Sequence, residues 1–370
     1  MLFCFLSAAL PDRAETAPRP EAAAIVGRAR GADPRWRDGF VSARAGEAVE
    51  LAVLVRAGRS WYGEPSRAWL GGVPVSVRPL GELGATRVTW ARVEPWMGRD
   101  GVPYSNAVLL GPQHGQWRGY DRIAYFETPV GGAGPTRVVS DARPTISDLD
   151  VHSGLGTMRW TATVMTPGGA VRAPGADSAG DTGIDPAVMR VSFRARDDFV
   201  GWLTSYFNVP AVFASAGPGN RHQTDRYVGT DCADALIGAL RAARVRGVAY
   251  TSVSGLGRYA ASVTATLRLR PDGRIITEQD ETAVTLRHGA DVREGDVVIL
   301  DYVGFAGLPR SWDHVGVLGP DDGDGLFDAD DLLYHMGLLE GLALEPLRAQ
   351  GHVRLRVLRL RPRYLPHGSA

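Results

Sequence analysis

Cys232 opens a strongly patterned helical run, Tyr227-Val-Gly-Thr-Asp-Cys-Ala-Asp-Ala-Leu-Ile-Gly-Ala-Leu240, in a chain of 370 residues. Ala233, Leu236, Ile237 and Leu240 recur at helical spacing and give one apolar face. Thr230 and Asp231 are both good N-cap residues, and Gly247, following Arg241, Arg244 and Arg246, marks the far end. A thiol at the head of such a helix feels the positive end of its dipole. That dipole is worth about 0.3–2 kcal/mol, roughly one pKa unit. A thiolate at neutral pH therefore calls for a second cation, for which histidine is the usual source.

Two strand-like segments downstream carry imidazoles: Ser311-Trp-Asp-His-Val-Gly-Val-Leu318 and Leu332-Leu-Tyr-His-Met336. Asp313 stands next to His314, but neighbours in a strand point to opposite faces, so it does not orient that ring. His335, on a strand joined to the first by a turn, can lie beside it. It would accept the Nδ1–H of His314 and leave Nε2 for the thiol. Because His335 must keep its accepting nitrogen unprotonated, activity should fall at acidic pH. His222 and His288 sit in polar stretches and read as surface residues.

The elements that must position these groups are mostly strands. In the first half, Ala48–Arg56, Val73–Arg78, Thr86–Val93, Arg122–Glu127, Met158–Met165 and Met189–Ala195 are short strand candidates separated by glycine-rich turns. They suggest an all-β sandwich similar to an immunoglobulin-like module. Seven of the nine tryptophans fall there: Trp36, Trp61, Trp69, Trp90, Trp96, Trp117 and Trp160. Core filling explains them better than a glycan-binding platform, since no spacing places the rings on one face. Later come a short helix after Asp197 or Asp198, a hairpin around Pro271-Asp-Gly273, a continuously apolar strand at Val297–Leu300, and an alternating last strand, Val353–Leu360.

Asp231-Cys232-Ala-Asp-Ala-Leu-Ile at a helix start, Glu294-Gly-Asp-Val-Val-Ile-Leu, His314-Val-Gly-Val-Leu and Leu-Leu-Tyr-His335 together resemble the NlpC/P60 superfamily of papain-like cysteine peptidases and amidases. The likeness covers roughly the last 170 residues. It implies Cys232 as nucleophile, His314 as base, His335 as the polar residue that orients it, and Tyr227 as a helper of the oxyanion. It further implies peptide bonds of the bacterial cell wall as substrate. The gap between Cys232 and the Gly295-Asp296 strand is longer than the family's compact pattern, which leaves room for the hairpin to shape the cleft.

The expected architecture is therefore an α+β papain-like, NlpC/P60-like catalytic domain over residues 197–365. An immunoglobulin-like β-sandwich over 36–196 precedes it, after a signal-peptide remnant and linker over 1–35. The apolar run Met1–Leu10, which holds the second cysteine, Cys4, reads as that remnant and points to a secreted, periplasmic or envelope setting. It is too short to span a bilayer. Net charge is zero with no Lys/Arg-dense face, which argues against nucleic acid. The partners expected are a peptide or peptidoglycan substrate and, for the β domain, a cell-wall polymer or protein.

No cofactor is expected. Only the acidic turn Pro320–Asp331 is similar to part of a calcium loop, with Asp322, Asp324, Asp328 and Asp331 in ligand positions, but proline holds the first position and the closing glutamate is absent. Two rivals stand beside the hydrolase. One is a transglutaminase-like thiol enzyme, which amine incorporation into a glutamine acceptor would reveal. The other is an inactive glycan- or protein-binding module, in which Cys232 resists alkylation.

Overall fold

The structure is a computed structural model that describes residues 18–31, 33–85, 87–96, 123–131, 134–145, 152–180, 183–212, 215, 222–302, 312–337 and 341–366. The apolar N-terminal run with Cys4, and Trp117, lie outside the described residues.

The first seven strands are β1 (Ala22–Ala29), β2 (Asp33–Arg37), β3 (Phe40–Arg44), β4 (Val49–Ala57), β5 (Ser60–Gly63), β6 (Arg67–Leu70) and β7 (Val73–Pro79). Pairing runs β1-β2-β6-β7-β5-β4, and β4 pairs back with β1 from Ala22↔Arg56 to Ala29↔Val49, so six strands close on themselves. β4 is buried on both faces. Ala52 and Leu54 join Val26, Trp36, Ala68 and Val77 inside the closed sheet, whereas Leu51, Val53 and Val55 face outward into a larger core. At one end of the barrel buried Glu50 is held by Arg28 at 2.7 Å and Arg30 at 2.5 Å.

The larger core is shared with a second sheet. Its strands are β8 (Arg87–Pro95), β9 (Tyr125–Pro129), β11 (Gly156–Thr166), β12 (Gly169–Arg172) and β15 (Met189–Arg194), joined by β3 in the order β3-β15-β11-β8-β9. β10 (Arg137–Ser140) edges β4, and the short strands β13 (Ala179–Gly180) and β14 (Gly183–Ile184) pair with each other. Trp90 and Trp160 fill the shared core, and Trp36 fills the barrel under the Arg28 guanidinium.

The second half has helix α1 (Phe199–Thr204), helix α2 (Cys232–Ala242) and the strands β16 (Ala260–Ser262), β17 (Leu267–Leu269), β18 (Ile275–Thr277), β19 (Val297–Tyr302), β20 (His314–Leu318), β21 (Leu332–Gly337), β22 (Gly341–Pro346) and β23 (Val353–Leu360). The order β18-β17-β23-β19-β20-β21-β22 places the two histidine strands side by side. Alternation splits the residues of β19 and β20. Val297, Ile299, Val315 and Val317 pack under Leu236 and Leu240 of α2, while Val298, Leu300 and Leu318 turn to a second core with β23. Gly316 is needed in β20 because a Cβ there would lie 2.6 Å from Leu333 of the next strand.

Both halves correct the expected fold class. The chain is mostly β, with 46% strand against 13% helix, so neither the α+β papain-like domain nor the immunoglobulin-like sandwich describes it. Helical spacing persists for only eleven residues in α2 and six in α1, and period-two segments take up most of the remainder. The first half closes because Ala22–Ala29, in the segment read as linker, is itself a strand that joins β2 to β4. Its small residues allow close packing: a Cβ on Gly27 would meet Met189 at 2.4 Å and Leu51 at 2.9 Å. Among the described residues no helix is long and apolar enough to cross a membrane.

Candidate functional site

The head of α2 is built as its sequence dictates. Asp231 is the N-cap, and its carboxylate accepts the Asp234 N–H at 2.8 Å. The far end comes earlier than the arginine run suggested. Arg244 takes a left-handed φ of 63°, and Val245 N–H returns to the Leu240 carbonyl at 3.0 Å. Beneath the helix, Gly238 lets Tyr206 approach, since a Cβ there would lie 2.4 Å from the tyrosine oxygen.

Cys232 is half-buried. The backbone N–H groups of Val315 and Ala233 act on its sulfur, so the thiol lies against β20 one residue past His314. The His314 ring meets His335 edge-on, centroids 5.4 Å apart, with His314 Nε2 3.2 Å from His335 Nδ1. Register explains the meeting: Gly316 pairs with His335, and His314 lies two residues along on the same face, a diagonal neighbour. The expected nitrogens are thus exchanged. Nε2, farthest from the backbone, reaches sideways to His335, and the His314 ring lies 6.0 Å from that of Tyr302, on whose hydroxyl Cys232 also acts electrostatically.

Two residues not anticipated from sequence complete the chain. Glu345 on β22 has Oε2 3.1 Å from His335 Nε2, and the Gln350 amide lies 2.9 Å from that nitrogen while holding the Tyr302 hydroxyl at 2.9 Å. The Gln350 Nε2 is a donor and the Glu345 carboxylate an acceptor, so the two contacts favour opposite His335 tautomers; the bond to the carboxylate is the stronger and favours the proton on Nε2. His335 Nδ1 then accepts from His314 Nε2–H, which leaves His314 Nδ1 free to take a proton. Glu345 was legible only as part of Leu342-Ala-Leu-Glu345, an alternating run too short to stand out. Asp313 is not part of this chain: its carboxylate accepts the Tyr302 N–H at 3.2 Å.

Electrostatics differ from the dipole argument. Burial, followed by the Asp231 charge, pushes the Cys232 thiol well up, against the smaller pull of the two N–H groups. Burial, followed by neighbouring His335, lowers His314 to about 3. Desolvation can shift a buried group by about 3–5 units, whereas the dipole offers roughly one, so desolvation wins. At pH 7 the resting pair is a neutral thiol and a neutral imidazole. Iodoacetamide alkylation of Cys232 should therefore speed up about tenfold per unit between pH 6 and 9. A flat rate across that range would mean a standing thiolate–imidazolium pair and contradict this reading. Slow alkylation at pH 7 alone does not mark an inactive cleft, because burial gives the same result in an active one.

Tyr227 is placed differently from the other three. Its φ is 55°, its ring stacks on Tyr206 at 4.3 Å, and its hydroxyl lies 2.9 Å from Ser205 Oγ. These contacts brace the turn that feeds α2. His222 and His288 are not surface residues. His222 stacks on Tyr250 at 3.7 Å with Nε2 3.6 Å from Asp234 Oδ2, and His288 has Nε2 4.0 Å from Asp331 Oδ1. The acidic turn gathers Asp321, Asp322 and Asp324, and separately Asp322, Asp328 and Asp330. Several of these carboxylates accept the turn's own N–H groups, and buried Asp331 faces His288 instead.

Asp234 carries a cost. Burial, then the Asp231 charge, raises it from 3.8 to about 7, although Ser215 Oγ donates to it at 2.6 Å. The folded state holds its proton more tightly than the unfolded chain, so stability falls as pH rises from about 4 towards 7 and stays reduced above that. Asp234→Asn removes the charge and should melt above the wild type at pH 8, with the gap closing near pH 4. A gap independent of pH in thermal denaturation would refute the assignment. The chain matches no family model, no curated protein and no solved structure.

Proposed function

We propose that the protein is a thiol hydrolase of amide bonds. The observation that supports this most is that the Cys232 sulfur lies at the N–H of Val315, the residue after His314, whose Nε2 is tied to His335. Cys232 Sγ attacks the carbonyl carbon as its proton passes to His314 Nδ1. The carbon–nitrogen bond then breaks, the proton goes to the departing amine, and an acyl-thioester remains on Cys232. Water, deprotonated by the same nitrogen, releases the acid. With the Asp234 and Ala235 N–H groups taken by Asp231, the Cys232 and Ala233 N–H groups at the head of α2 supply the donors for the oxyanion.

The likeness of the cysteine, Glu294-Gly-Asp and histidine segments to NlpC/P60 enzymes favours peptide bonds of peptidoglycan and hence an exported enzyme. Digestion of purified peptidoglycan, with mass analysis of the fragments and Cys232→Ala as control, tests this. New fragments with free amines, absent from the control, are expected. Fragments identical in both digests would refute the substrate.

A further inference from the structure

Away from the thiol, on the face of the second sheet that meets the turn before α2, three arginines converge, and among the described residues none has a counter-charge. Arg159 of β11 and Arg190 of β15 are directly opposed cross-strand partners, so two like charges share one sheet face. Arg159 is 4% exposed, and its Nη2 donates to the carbonyls of Arg226 at 3.1 Å and Tyr227 at 2.7 Å. The Arg190 guanidinium carbon sits 4.7 Å from the Phe40 ring centroid and 4.2 Å from that of Tyr227. Arg226 Nη2 donates to the Ile184 carbonyl at 2.8 Å.

Among the described residues no carboxylate forms an ion pair with any of the three. Carbonyl dipoles and ring faces offer partial negative charge only, and a desolvated cation left with those alone is expensive. Burial, together with Arg159 and Arg226, lowers Arg190 to about 10, although the Tyr227 and Tyr206 hydroxyls pull the other way.

The unmet hydrogen-bonding groups both offer a donor, although the Tyr125 hydroxyl oxygen can also accept. The Tyr125 hydroxyl and Arg226 Nε are buried with no partner, and both Arg159 and Arg226 act electrostatically on that hydroxyl. A site that gathers three guanidinium charges beside spare donors selects an anion. Guanidinium edges fit a two-oxygen anion better than a spherical one. We infer that Arg159, Arg190, Arg226 and Tyr125 form a binding site for a small oxyanion, a carboxylate or a phosphate, beneath the turn that delivers Tyr227 to the Cys232 helix. The bound anion offsets the cross-strand repulsion and steadies Arg159 on the carbonyl of Tyr227, whose left-handed backbone is strained. This inference does not rest on the hydrolase reading.

The test is thermal unfolding of the full chain at pH 7 and fixed ionic strength, starting in a bulky sulfonate buffer. That anion is replaced in separate arms by phosphate, acetate or chloride. A saturable rise in Tm of about 3 °C with phosphate or acetate is expected, and the stronger arm identifies the oxyanion. Tyr125→Phe, which keeps the ring, and Arg226→Gln should each weaken the response at least threefold in half-saturating concentration. No saturable response in any arm, a response to chloride alone, or a response unchanged in both variants would overturn the site.

Discussion

Cys232→Ala should abolish amide hydrolysis, lowering kcat by about 10⁴-fold or more, with no loss of folded protein. The size follows from the role. Without sulfur no acyl-enzyme forms, and the imidazole and helix-head donors can only assist a direct attack by water. The fold should tolerate the change because Cys232 packs at the margin of the core formed by α2 and β20 and forms no disulfide. The Asp231 cap also acts through a carboxylate that the substitution leaves in place. Parallel assays of turnover and thermal melting check both halves. Residual activity within tenfold of wild type would remove Cys232 from the chemistry.

His314→Ala should cost about 10²–10⁴-fold in kcat, the usual worth of a positioned general base. Because thiol and imidazole act as a unit, the double variant Cys232→Ala/His314→Ala should be no slower than Cys232→Ala alone. His335→Asn should cost less than His335→Leu, since an amide oxygen can still accept from His314 Nε2–H. Glu345→Gln should cost less again, because it weakens the preference for the productive His335 tautomer without removing the acceptor. Kinetics on these variants check this order. Costs that simply add in the double variant would mean that the two residues do not share a proton.

Part of the site was readable from sequence because it is local. Asp231 followed by Cys232 and the Leu236/Leu240 face specifies a capped helix with a thiol at its head. The His314-Val-Gly segment specifies a strand with small residues for close packing. Which nitrogen faces which partner was not readable, since that depends on the offset between β20 and β21, a property of the turn joining them. Thiol ionisation was misjudged for a similar reason: the dipole is visible in sequence, whereas burial by β20 is tertiary.

At the level of fold, β1 escaped notice because Ala22-Ala-Ala-Ile-Val-Gly has little β-branched content, yet its pairing with both β2 and β4 turns an open sheet into a barrel. His222 and His288 looked exposed because their neighbours are polar. Those neighbours face each other in the structure, as the Tyr250 stack and the Asp331 approach show.

The account stands most directly on whether Cys232 becomes acylated with help from His314. Mixing the protein with p-nitrophenyl acetate should give a burst of about one equivalent of nitrophenol per chain, with the acetyl group found on Cys232 by peptide mass mapping. The burst should be absent in Cys232→Ala and slowed at least about 100-fold in His314→Ala. An unaltered burst in His314→Ala, or an acetyl group carried elsewhere while Cys232 stays free, would contradict it.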